Sequence, residues 1–283
     1  MRRISIVGLC FAAVLAFSVV AASSASALPQ FYHCAEGVSK GELELGQFNT
    51  EAECEKLENQ NTTGKWVNRE FNGGEKESFT STSGTSTLEP LIGANVVCKK
   101  DKDKGEITSG NHSMLAQKVV VEFEECERSG KECKSGTEAG KITTVAMMGT
   151  LGYNNNTEHK VAMILENEAI GTAGAELAKF TCVGEAEILV TGRVVGLFPS
   201  ENANKEPQLN HMRRTFELVF TCATKGKQAD KEILLLKELA EAMGEAEQMT
   251  GAHLMSHQGG LEVESCETTT DIITFTKIGE IMA

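Results

Sequence analysis

Three groups of residues in this chain have the types and spacing to do chemistry: its cysteines, a close pair of histidines, and an alternating run of acids and lysines. The cysteines are Cys34, Cys54, Cys98, Cys126, Cys133, Cys182, Cys222 and Cys266, with a ninth, Cys10, near the N-terminus. A nucleophilic thiol needs a free cysteine in an electropositive setting. An even number in an exported chain instead reads as four bridges, for which eight cysteines allow 105 pairings. His253 and His257 stand four apart, and on a helix they would share a face as metal-binding pairs do. No Glu follows His253, so the zinc-protease signature is missing, and the pair reads as solvated. Asp101-Lys102-Asp103-Lys104-Gly105-Glu106 resembles the start of a calcium loop. It lacks a third acidic position and the closing bidentate Glu, and nearby lysines compete for its carboxylates. It reads as a charged hairpin turn.

Other reactive signatures are missing. There is no Gly-x-Ser-x-Gly elbow. Acids such as Glu124 and Glu125 are plentiful, but only their separation across a cleft would make a glycosidase pair. One Trp and two Tyr offer little aromatic surface for sugars, and Trp66 reads as packing against a bridge near Cys54. Asn61, Asn111 and Asn155 open glycosylation sequons, relevant only in a eukaryotic secretory pathway. The sequence therefore assigns no catalytic, cofactor-binding or metal residue, and no cofactor is expected.

The setting of the cysteines is decided by residues 1–27, which read as a secretory signal peptide. Arg2 and Arg3 form its charged start, Ile4 to Val20 its apolar core, and Ala25-Ser26-Ala27 its cleavage site. Cys10 lies mid-core, where lipid attachment would leave almost no signal. Export moves the other eight cysteines into a disulfide-permissive compartment, secreted or in the cell envelope. The whole chain carries a net charge of −13, and losing Arg2 and Arg3 makes the mature part more acidic still. Such a chain repels phosphate backbones, so nucleic acid is not an expected partner. No second apolar run reaches the roughly 20 residues needed to span a bilayer, so no stable membrane insertion is expected after cleavage.

The elements that must position these residues are mostly strands. Residues 28–74 read as a small disulfide-stapled module with Cys34 and Cys54 as its bridge. Thr50-Glu51-Ala52-Glu53 has capping-box form before Cys54. Residues 75–283 read as a β-rich domain. Phe79–Thr82 and Thr85–Leu88 flank Ser83-Gly84 as a hairpin. Val96–Cys98, Lys118–Glu124, Val161–Glu166, Leu177–Cys182 and Thr215–Cys222 show strand patterning. Leu261–Cys266 and Ile272–Ile278 read as two further strands. Ile233, Leu236, Ala240 and Met243 fall at helical spacing and predict one short helix near the C-terminal third. Many short strands separated by turn signals predict a mainly β fold, an antiparallel sandwich or barrel-like domain. Gly130, between Cys126 and Cys133 in a polar turn, predicts that these two bridge each other.

The order of landmarks resembles a family of secreted, disulfide-containing proteins of soil actinobacteria that carries no assigned activity. The resemblance rests on Cys34, Cys54, Trp66, Phe79-Thr80-Ser81-Thr82 with Gly84, Val97-Cys98, Phe123 with Cys126, and Cys133 with Ser135-Gly136. Gly140, Ile142, Gly149-Thr150-Leu151-Gly152 and Phe180-Thr181-Cys182 with Gly184 complete it. It implies export and an all-β disulfide scaffold. Within the matching region it leaves Cys98 and Cys182 as a pair. Cys222 and Cys266 both fall outside the pattern, which implies that they pair with each other.

The expected function is that of a non-enzymatic exported scaffold or binding protein of the envelope or extracellular space. The alternatives are a binder of a small apolar ligand and a secreted hydrolase with an unrecognised carboxylate site. Cleavage after Ala27 is checked by mass spectrometry of the exported protein. The expected N-terminus is Leu28; a membrane-bound form retaining Met1 would overturn the reading.

Overall fold

Hydrogen-bonded antiparallel ladders organise the chain in a computed structural model. It describes residues 29–36, 65–71, 74–108, 115–154, 160–169, 175–202, 213–229, 232–234, 249–251 and 253–282. The first strands are β1 (Gln30–Glu36), β2 (Trp66–Glu70), β3 (Lys76–Ser83), β4 (Ser86–Pro90), β5 (Val96–Cys98), β6 (Lys100–Thr108) and β7 (Leu115–Glu124). Then come β8 (Glu127–Arg128), β9 (Lys131–Lys134), β10 (Ile142–Thr143), β11 (Met147–Tyr153), β12 (Lys160–Asn167), β13 (Glu176–Cys182) and β14 (Ile188–Asn202). The last are β15 (Arg213–Phe220), β16 (Cys222–Thr224), β17 (Lys227–Gln228), β18 (Glu232–Leu234), β19 (Met249–Gly251), β20 (His253–Gln258) and β21 (Leu261–Met282).

Following the ladders closes two rings. One runs β21–β3–β6–β7–β11–β12–β14–β15 and back to β21. The other runs β21–β4–β5–β8–β9–β13–β14–β20 and back to β21. Both rings use β14 and β21. The chain also passes directly from β3 to β4, from β5 to β6 and from β7 to β8, so the rings stack into one tall barrel. Closure removes the exposed strand edges that invite aggregation. β1 pairs with β2 and with the C-terminal end of β21, which ties the described N-terminal strands into the same sheet.

Burial follows strand period. In β6, Asp101, Asp103, Gly105 and Ile107 face inward, while Lys100, Lys102 and Lys104 face out. In β21, Thr269, Asp271, Ile273 and Phe275 alternate against exposed Thr268, Thr270, Ile272 and Thr274. Phe275 is the hub of the first ring's core. Its ring meets Phe216 at 5.4 Å, Phe79 at 5.8 Å and Phe31 at 6.0 Å, all edge-on, the geometry aromatic pairs prefer. Phe79 reaches Phe275 by lying across Gly105, its register partner. A Cβ on Gly105 would fall 2.5 Å from the Phe79 ring.

Several expectations are corrected. Ser83-Gly84 does not close a hairpin: β3 and β4 both pair with β21, at Asp271–Phe275 and at Ser265–Thr268. The segment is instead a bend where the chain passes from one ring to the other. The charged stretch Asp101–Glu106 is not a turn; its period-2 charges place it in β6. The two C-terminal strands are one strand, β21, of 22 residues. No helix occurs among the described residues. Ile233 lies in β18, which pairs with β19 and, through Leu234, with Tyr153. Leu236, Ala240 and Met243 lie outside the described residues, as do the signal peptide, Cys54 and the Thr50 capping box.

Two of the expected disulfides are also wrong. The bridges are Cys98–Cys126, Cys133–Cys182 and Cys222–Cys266, so only the last of these matches. Cys34 is bridged too; its expected partner, Cys54, is outside the described residues. The physical reason is register. Cys126 and Cys133 face each other in the β8–β9 hairpin, but the Cys133 N–H donates to the Cys126 carbonyl at 2.9 Å. Such hydrogen-bonded pairs hold their Cα atoms wider apart than non-hydrogen-bonded ones. Each cysteine instead finds a closer partner on its outer neighbour, β5 or β13, with Cα–Cα distances of 3.9 Å.

Gly192 marks the point where β14 leaves the flank of β13 for that of β12. Its φ is +101°, and a Cβ there would lie 1.7 Å from the His253 carbonyl oxygen. Gly192→Ala is expected to cost at least about 2 kcal/mol, combining left-handed strain with overpacking. Urea unfolding under oxidising conditions checks this. A loss below half that would show that the crossing is not pinned there.

Candidate functional site

The residues of greatest chemical interest sit where the rings join. β6 and β21 flank β3, and the register aligns Asp271, Ser83 and Asp101 in one row across the three strands. One step along, Ser81 stands opposite Asp103. All three acids point inward and are 2% (Asp101), 8% (Asp103) and 7% (Asp271) exposed. One carboxylate oxygen from each lies within 4.8 Å of the other two.

Hydroxyls hold part of this cluster. Ser83 and Ser86 both donate to Asp101 Oδ2, Ser86 at 2.6 Å. Ser86 Oγ is 3.0 Å from Thr269 Oγ1, and Thr269 donates to Asp271 Oδ1 at 3.3 Å. The bend between β3 and β4 is thereby fastened to β6 and β21. Asp101 Oδ1, Asp103 Oδ1 and Ser81 Oγ are buried without a hydrogen-bond partner.

A cavity of about 90 Å³ adjoins the cluster. Asp101, Glu267 and Asp271 form its acidic side. Its walls are apolar and come from both rings, including Leu88, Val121, Met147, Phe180, Val194 and Leu254. By liquid-volume reckoning this is room for about three waters.

Burial makes ionisation of these acids expensive. It pushes Asp103 up to about 8, with Asp101 and Glu267 adding repulsion. Glu267 rises to about 7, mainly by desolvation and then by the nearby Asp101. Asp271 is raised well above the usual carboxylate range by burial and by Asp103, Asp101 and Glu267, with the Thr269 hydroxyl opposing. Asp103, Glu267 and Asp271 are thereby more protonated at neutral pH than exposed carboxylates are.

The residues singled out from sequence fall elsewhere or in other roles. His253 and His257 lie in a strand, not on a helix. His253 is exposed, and His257 Nε2 is 2.9 Å from Thr191 Oγ1. Four strand residues span about 13 Å, too far for a shared ion. Glu89 lies near Cys222 and Cys266, but that cystine leaves only one free ligand there. Asp101 and Asp103 were visible as a calcium-loop fragment. Asp271, the third acid, is supplied by a strand far along the chain, and only the ladder register brings it in. The period-2 charges of residues 100–104 are the one sequence signal that pointed inward.

Outside the barrel, a groove of about 400 Å³ is lined by residues including Lys134, Thr143, Glu176, Lys179 and Glu187. Its Lys179 and Glu187 pair with each other at 3.0 Å. No family model, curated protein or solved structure matches the chain.

The raised acids Asp103, Glu267 and Asp271 give stability a definite pH dependence. An acid whose pKa is raised on folding contributes fully below its unfolded value, and the contribution is lost as pH rises through the folded value. For Asp103 and Glu267 that window runs from about 4 to about 7–8. His33 acts oppositely below pH 6.5. Burial lowers it to about 4, against the pull of Glu75, so its contribution is lost as pH falls. Between pH 6.5 and 8 the acids act alone, and unfolding free energy is expected to drop by about 2 kcal/mol or more. Urea titrations in chelator-treated buffer check this. Asp103→Asn should flatten the profile, and an unchanged slope in that variant would refute the assignment.

Proposed function

We propose that the chain is a non-enzymatic, exported β-barrel scaffold or binding module of the cell envelope or extracellular space. The observation that carries this is the two-ring barrel whose second ring closes through the very short strands β5, β8 and β9, which cystines join to their neighbours. Disulfides persist in oxidising compartments, which agrees with the secretory leader and with the resemblance to secreted actinobacterial proteins. The outward faces of β3, β6 and β21 are mostly polar, with Lys100, Lys102, Lys104 and a run of threonines, while the interior is largely apolar apart from the acid cluster. That is the reverse of a transmembrane barrel, whose apolar band faces lipid. No described helix is long and apolar enough to cross a membrane. The acidic surface argues against nucleic acid.

The interior cavity is well below the 300–1,000 Å³ of ordinary small-molecule sites. Among the described residues the buried acids have serines but no histidine beside them, an arrangement that lends no support to a serine–histidine nucleophile pair. A second reading, a carrier of a very small apolar ligand, draws on the apolar cavity walls.

Native mass spectrometry and substrate screens on the exported protein separate these readings. The scaffold reading expects the mass of the oxidised chain without an organic adduct, and no turnover of ester, glycoside or peptide substrates. A stoichiometric organic adduct would favour the carrier. Turnover that disappears in Asp271→Asn with the fold intact would make the protein a hydrolase.

A further inference from the structure

We propose that Asp101, Asp103 and Asp271 bind one calcium ion at the level where the two rings of the barrel join. The proposal is independent of whether the barrel is a scaffold or a carrier. Three carboxylate oxygens lie within 4.8 Å of one another. Ca2+ takes six to eight oxygens in flexible geometry, which an irregular set of carboxylates completed by waters can supply. Mg2+ demands near-ideal octahedral geometry and dehydrates reluctantly, which disfavours it at a buried, partly dry site. The donors are all oxygen, which selects hard cations over zinc or copper.

The second observation is the unused valence of the acids. Asp101 and Asp103 are each more than nine-tenths buried, and each leaves Oδ1 without a hydrogen-bond partner. The hydroxyls of Ser83 and Ser86 are spent on Asp101 Oδ2, leaving Oδ1 free. Lysines on the same strand do not neutralise the group. Lys102 and Lys104 point outward, and Lys102 pairs with Glu124 at 2.8 Å. Among the described residues, no ion pair reaches Asp101, Asp103 or Asp271. The adjoining cavity has room for about three waters to complete a coordination shell of six to eight. Glu267, on the same acidic side, is a further carboxylate within the cavity wall.

The ion would fasten β6 to β21 at the junction, so binding should be read out as stability as well as stoichiometry. The test uses the oxidised mature chain, stripped with chelator, at pH 7.5. Calorimetric titration with CaCl2 is expected to show one ion per chain, saturating below about 1 mM, as extracellular calcium modules do. The melting temperature should rise by at least 5 °C in 5 mM CaCl2, and MgCl2 should bind at least tenfold more weakly. Asp101→Asn and Asp271→Asn should each weaken binding more than tenfold, whereas Glu124→Gln, on the outer face, should leave it unchanged. If the Asn variants fail to fold, terbium luminescence on the unaltered chain decides. Decay rates in H2O and D2O should report about three or fewer bound waters, with the signal displaced by CaCl2. Six or more waters would place the ion on exposed carboxylates and overturn the proposal. So would no saturable binding by 10 mM CaCl2, or binding that survives Asp271→Asn.

Discussion

The barrel depends on β21 remaining hydrogen-bonded along both of its edges. Its 22 residues pair with β20 and then β15 on one side, and with β4, β3 and β1 on the other. Five separate strands thus find their register from one continuous template. β14 does the same on the opposite wall. Because side chains alternate strictly along a strand, a one-residue slip of β21 would turn Phe275 and Ile273 to solvent and Thr274 and Ile272 inward. The aromatic hub around Phe275 therefore fixes the register on which the second ring also depends.

The same alternation explains why polar groups are buried at the junction. Moving along β21 from Phe275 toward Cys266, inward positions fall on Ile273, Asp271, Thr269 and Glu267. Apolar packing fills the first ring and gives way to acids and hydroxyls where the chain must bend between β3 and β4. A bend breaks the ladder and frees hydrogen-bonding groups, and serines and threonines satisfy them. Carboxylates there accept from Ser83, Ser86 and Thr269, but they carry more acceptor capacity than those hydroxyls fill. The surplus is met either by retained protons or by a cation. Both answers come from one cause, the desolvation of several like charges in one place.

Much of this was readable along the chain, and what was missed has a common origin. Strand period at Lys118–Glu124 gave β7 because alternation is a local signal, and the short apolar run Val161–Glu166 gave β12, which is buried on both faces. The even cysteine count gave bridges but not partners, since Cys126 and Cys133 are close in sequence while register pairs them outward. Lys-Asp alternation at 100–104 looked like a turn because charge is usually solvated; here the period of 2 outweighed polarity. The acid cluster was unreadable for the same reason. Asp271 meets Asp101 only through β3, and no local spacing encodes which strand lies between them.

The two rings are held by different physics, which explains where the cystines fall. Strands of the first ring such as β3, β6 and β7 are eight to ten residues long and bury an aromatic core, so ladders and packing suffice. In the second ring β5, β8 and β9 have three, two and four residues. Strands that short gain few hydrogen bonds and little apolar burial against the entropy of ordering them. Cys98–Cys126 and Cys133–Cys182 join β5 to the start of β8 and β9 to β13, and so carry the ring across its weakest arc. Each closes a loop of 28 or 49 residues, for which restricting the unfolded chain stabilises by about 4 kcal/mol in the loop-entropy model. The junction between the rings has neither an aromatic core nor a cystine across the β6–β3–β21 row. Beyond the backbone ladders, the described side-chain fastening there is the network of Ser83, Ser86 and Thr269 on Asp101 and Asp271, so the strength of that seam depends on the carboxylates that accept those hydroxyls.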